Sequence, residues 1–94
     1  MIPEGAAPAA IAFTLYSRSW CHLCEDMLAA LRALEPPGRR FGIAVIDVDA
    51  DPSQVARFDE LVPVLYGDPD GPELCHHFLD RDAVARYLAA QGAA

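Results

Sequence analysis

The residues of this 94-residue chain best suited to chemistry are its three cysteines, two of which form the run Cys21-His22-Leu23-Cys24. The thiolate, not the thiol, attacks sulfur, so what matters is the setting of the pair. Two intervening residues in the first turn of a helix put both sulfurs on one side, within bonding reach without large backbone movement. A helix start also presents unpaired N–H groups and partial positive charge, which favours the thiolate of Cys21. Cys24, nearly a turn further in, is expected to be more shielded and to resolve a mixed disulfide by attacking Cys21. A protonated His22 stabilises a neighbouring thiolate, whereas Glu25 and Asp26 oppose one.

That chemistry needs a strand to deliver the cysteines and a helix that begins at them, and the flanking residues supply both. Ile11-Ala12-Phe13-Thr14-Leu15-Tyr16 reads as a strand, aromatic and free of charge. From His22 the period changes: Leu23, Met27, Leu31 and Leu34 fall on one helical face, and Pro36-Pro37-Gly38 ends the helix. Phe41 to Val48 is a second strand, whose nearly continuous apolar run predicts cover on both faces. Asp51-Pro52 starts a short helix reaching about Phe58. Val62 to Tyr66 is a third strand, Asp68-Pro69-Asp70-Gly71 a turn, and Glu73 to Phe78 a fourth strand. Asp80 caps a last helix with the stripe Val84, Tyr87 and Leu88. The order β-α-β-α-β-β-α predicts an α/β domain, a mixed four-stranded sheet flanked by helices, with right-handed crossover setting its hand. Residues 1–9, rich in Ala and Pro, read as a flexible tail, and 10–92 as a single domain.

Charge narrows the function. Fourteen acidic residues face seven arginines, with no lysine, for a net charge of −7. Nucleic-acid binding needs clustered positive charge, and only Arg39-Arg40 form even a pair. No apolar stretch approaches the roughly 18–20 residues of a membrane span. The first residues carry neither a positive leader nor a long apolar run, so a cytoplasmic location is expected. Thiols there are normally reduced, which directs the cysteines toward catalysis, metal binding or plain burial.

Phe13-Thr14-Leu15-Tyr16-Ser17-Arg18-Ser19-Trp20-Cys21-His22-Leu23-Cys24 resembles the active-site strand and loop of the glutaredoxin and thioredoxin families. Val62-Pro63 is similar to the Val-Pro step those families place before their third strand. The resemblance covers Ile11 to Leu88 and implies a thioredoxin fold with glutaredoxin-like thiol–disulfide exchange. It implies that Pro63 is cis and faces the cysteines, leaving the Val62 N–H and C=O open to pair with an incoming disulfide. It sets Arg18 near the glycine carboxylate of glutathione, Trp20 beside the nucleophile as in thioredoxins, and Asp80 where a capping site can meet an amino group. Three features depart from the glutathione-using members. His77-Phe78-Leu79 replaces a Gly-Gly step, Leu61 stands where Thr is usual, and Trp20 is thioredoxin-like.

The expected partners are a disulfide-containing protein or a glutathione mixed disulfide, together with a reductant, either glutathione or a thioredoxin reductase system. No cofactor is expected beyond glutathione as a possible co-substrate, and a monomer is expected. Three alternatives stand beside this reading. Cys21, Cys24, Cys75, His76 and His77 contain enough ligands for tetrahedral zinc, although neighbouring strand residues point to opposite faces. An iron–sulfur cluster bridged by the first cysteine and glutathione is the second. The third is a non-catalytic thioredoxin-fold interaction module.

Overall fold

The computed structural model describes residues 11–92, so the tail expected over residues 1–9 lies outside the described residues. The elements are β1 (Ile11–Ser17), α1 (His22–Arg32), β2 (Phe41–Asp47), a 3₁₀ turn (Val48–Ala50), α2 (Pro52–Phe58), β3 (Val64–Tyr66), β4 (Glu73–His76) and α3 (Arg81–Ala90). Their order is the one read from the sequence. The sheet runs β2-β1-β3-β4, with β1 parallel to β2 and antiparallel to β3, and β3 antiparallel to β4. This four-stranded mixed sheet with three helices is the thioredoxin fold.

Alternation along β1 sets up two cores. Phe13 and Leu15 point to one face, where Met27 and Leu31 of α1, Phe41, Leu65, Cys75 and Val84 of α3 close over them. Tyr16 points to the other, against Val48, Phe58 of α2, Val64 and Tyr66. The α1 stripe differs from the sequence reading at one end. Cys24, Met27 and Leu31 are its buried members, while Leu23 is 37% exposed. The second cysteine therefore takes a core position.

Three other expectations are corrected. β2 is not covered on both faces: it is an edge strand, and from Gly42 to Asp47 only Ile43 is even half-buried. Its run includes Gly42 and Ala44, which offer little surface to a covering layer, and the helices pack over β1, β3 and the Phe41 end. β3 begins at Val64, after the Val62–Pro63 step. β4 stops at His76 because His77 adopts φ 64, outside any strand conformation. Among the described residues no helix is long and apolar enough to cross a membrane.

Candidate functional site

β1 ends at Ser17, and the chain turns through Arg18, Ser19 and Trp20 into Cys21, which is the N-cap of α1. Cys21 holds extended backbone (φ −102°, ψ 106°), and its sulfur accepts the Cys24 N–H at 3.1 Å. A helix start leaves such donors without internal partners, so a capping side chain is favoured there, and here that side chain is a cysteine. Cys21 and Cys24 are joined as a disulfide, with Cα atoms 5.2 Å apart. Cys21 is half-buried and Cys24 buried. The spacing has thus produced one accessible sulfur and one withdrawn into the core.

Trp20 departs from ordinary backbone. It holds φ 61° and its side chain is fully exposed. The left-handed region disfavours a bulky side chain, and outliers of this kind cost about 1–3 kcal/mol and gather at functional sites. His22 also faces solvent, 3.8 Å from Asp26 across one helical turn.

The Val62–Pro63 peptide bond is cis, as the resemblance implied. Two groups fasten this loop. The His77 N–H donates to the Pro63 carbonyl at 2.8 Å, and the His77 ring bonds the Glu60 carbonyl at 2.8 Å. The Val62 N–H is not open to a substrate: it donates to the Phe58 carbonyl at 3.1 Å, continuing the end of α2. Its carbonyl meets no donor among the described residues. The sequence marks His77 only as a zinc candidate and as part of the run that replaces Gly-Gly, with no signal of a left-handed residue that clamps Pro63.

Arg18 lies three residues before Cys21, yet its guanidinium turns to carboxylates of its own chain. Nε and Nη2 reach Asp49 at 3.2 and 2.9 Å, and Nη2 reaches Asp59 at 2.9 Å. The bonds to Asp49 and then Asp59 raise its pKa above its ordinary value. The fork that would grasp a glutathione carboxylate is filled. Asp80 caps α3 by accepting the Ala83 N–H at 3.1 Å.

Next to the cysteines, Leu23, Asp26, Met27, Ala30, His77, Phe78 and Leu79 line a hollow of about 210 Å³. Small-molecule sites run to about 300–1,000 Å³, so this one is the size of a side chain. Phe78, 70% exposed, stands at its rim. A larger hollow of about 480 Å³ along Val55–Leu61 has no cysteine in its wall.

The proposed zinc set is not brought together. Cys75 is in the core on β4, where burial pushes its thiol pKa up. His76 bonds Glu73 at 2.7 Å and His77 the Glu60 carbonyl.

These features define a class: a thioredoxin-fold protein with a Cys-x-x-Cys pair at the start of its first helix. Residues 12–89 match the Glutaredoxin-like domain (DUF836), and the chain belongs to that family. It is similar to the solution structure of protein Ne2328 from Nitrosomonas europaea, with 38% identity, TM-score 0.70, and 81% of this chain and 88% of that one covered. The X-ray structure of the structural genomics target XcR50 from X. campestris is 30% identical, with TM-score 0.61 and 83% and 96% covered. Thioredoxin 1 from Thermosipho africanus shares the fold at 20% identity and TM-score 0.55, with 86% and 98% covered. No match is found among curated proteins. Family, fold and the Cys21–Cys24 pair together support a redox-type function.

Proposed function

We propose that this protein is a thiol–disulfide oxidoreductase in which Cys21 is the nucleophile and Cys24 the resolving thiol. One observation carries the reading: the pair is bonded at a helix N-terminus with only Cys21 open to an incoming sulfur. In the reduced protein the Cys21 thiolate attacks one sulfur of a substrate disulfide and the other leaves as a thiolate. Cys24, having lost its proton to solvent, then attacks Cys21 Sγ and expels the second substrate thiolate. Two electrons pass to the substrate, its thiolates take protons from solvent, and Cys21–Cys24 becomes the disulfide. A thiol reductant, glutathione or a thioredoxin reductase system, returns the pair to dithiol.

The favoured substrate is a disulfide within a protein segment, ahead of a glutathione mixed disulfide. Glutathione is anionic, Arg18 is neutralised by Asp49 and Asp59, and Glu25 and Asp26 flank the cysteines. Exposed Trp20, Leu23 and Phe78 offer apolar contact, and the adjoining hollow accepts one side chain. The half-buried Val62 with its carbonyl forms the platform, shaped by the cis bond to the fully buried Pro63; the Val62 N–H joins only by releasing Phe58.

The test is mass spectrometry of reduced protein mixed with a disulfide-bridged peptide. The expected result is a transient adduct through Cys21, followed by reduced peptide and a protein two hydrogens lighter. If the Cys21→Ser variant reduces the peptide as fast as the native protein, the reading is wrong.

A further inference from the structure

We propose that β2 is a self-association edge, and that two copies pair their β2 strands antiparallel about a two-fold axis at Ala44, making one eight-stranded sheet. Edge strands carry a row of unpaired N–H and C=O groups, and proteins usually blunt them with short length, bulges, proline or inward charge. β4, the opposite edge, is blunted in this way. It has four residues, its pairing with β3 slips at Leu65/Tyr66, and Glu73 on it is exposed. β2 has none of these devices. It runs seven residues in unbroken register with β1, and from Phe41 to Ile46 it holds neither a charge nor a proline. Val45 is 52% and Ile46 37% exposed. Among the described residues no strand pairs with this edge, and from Gly42 to Ile46 no side chain bonds its backbone.

The partner is a second copy because the strand complements itself. The pleat alternates, so a two-fold antiparallel pair sets each residue opposite one of the same parity. Centring on Ala44 puts Ile43 of each copy opposite Val45 of the other, and Ile46 over the bare backbone of Gly42. The Phe41 N–H and C=O are already held by Glu35 and Arg32, so the new ladder occupies the strand beyond them. The ends then match in charge. Arg39-Arg40 precede the strand, and Asp47 and Asp49 follow it. The same register sets Arg39 of each copy diagonally beside Asp47 of the other, twice by symmetry; Asp49, in the turn after the strand, stays with Arg18. A parallel pairing would instead set arginine on arginine and aspartate on aspartate, which is repulsive. The cysteines lie at the start of α1, off the paired edge, so the reading does not depend on their chemistry.

Sedimentation velocity on the full chain over a range of concentrations tests this. The expected result is a monomer–dimer equilibrium. The double variant Arg39→Asp/Arg40→Asp and the single variant Asp47→Arg each weaken it at least tenfold. An equimolar mixture of the two recovers dimer, because each supplies the charge that the other lacks. These are surface substitutions, and circular dichroism confirms that each variant is folded. A single monomeric species up to about 1 mM, where even weak contacts register, overturns the proposal. So does dimerisation that the charge reversals leave unchanged, or a mixture that stays monomeric.

Discussion

α1 and α3 begin with nearly the same backbone. Cys21 holds φ −102°, ψ 106° and Asp80 φ −100°, ψ 102°, and each side chain accepts the N–H three residues on at 3.1 Å. The acceptors differ in kind. Aspartate is among the best capping residues, whereas a cysteine sulfur is a weak acceptor. At α3 the cap serves stability and the helix locks onto the core through Val84. At α1 a weaker cap occupies the same position, and on the proposed function the helix start is given over to a group that reacts. Held by the field of the helix, an acceptor that loses its proton is stabilised; in a cysteine that means nucleophilicity.

Substitutions at the two caps separate these roles, and the largest effect is expected at Cys21. Cys21→Ser keeps a good capping residue and removes the proposed nucleophile. Exchange should fall by ~10³-fold or more, the scale on which losing a covalent nucleophile acts, while the reduced protein unfolds at the same temperature or higher. Cys24→Ser tests the second step. Release of the mixed disulfide loses its intramolecular attacker and should slow by on the order of 10²-fold, so a 1:1 adduct through Cys21 builds up in mass spectra.

At the other helix the expectation inverts. Asp80→Ala should cost about 1 kcal/mol in chemical denaturation and leave the exchange rate of the folded protein within about twofold. A large rate loss at unchanged stability would show that Asp80 meets substrate and would break the contrast. The smallest effect belongs to α2, capped by Asp51. Bonds from the Ser53 N–H and then its hydroxyl hold the Asp51 carboxyl below its ordinary pKa. A depressed carboxylate stabilises the fold above its unfolded pKa of about 3.9, and that contribution is lost as pH falls through the folded value. Asp51→Asn keeps a capping oxygen but does not titrate. Its melting temperature should therefore fall less steeply than the native protein's between about pH 5 and pH 3.

Where local chemistry decides, the sequence was legible. Asp51-Pro52, Asp80 and Cys21 each mark a helix start that the structure contains. The aromatic run Ile11–Tyr16 reads as a strand and is β1. What escaped depends on partners far along the chain. The carboxylates that hold Arg18 are 31 and 41 residues away, and nothing near Arg18 announces them. A continuous apolar run such as Phe41–Val48 is equally compatible with burial and with an edge, since the pattern records hydrophobicity but not what lies beside the strand. The resemblance implies an open Val62, but α2 runs on just far enough for the Phe58 carbonyl to take its N–H. The left-handed residues Trp20 and His77 were invisible because only a few per cent of non-glycine residues take that conformation, and even histidine, which is enriched there, mostly does not.

Trp20 is the chain's single tryptophan, and it stands in water one residue from the disulfide. Disulfides quench neighbouring indole emission, so opening the Cys21–Cys24 bond should brighten the fluorescence with no label attached. The molecule thereby carries its own optical gauge of oxidation state, and titrating that signal against a buffered thiol couple would read the poise of the pair directly.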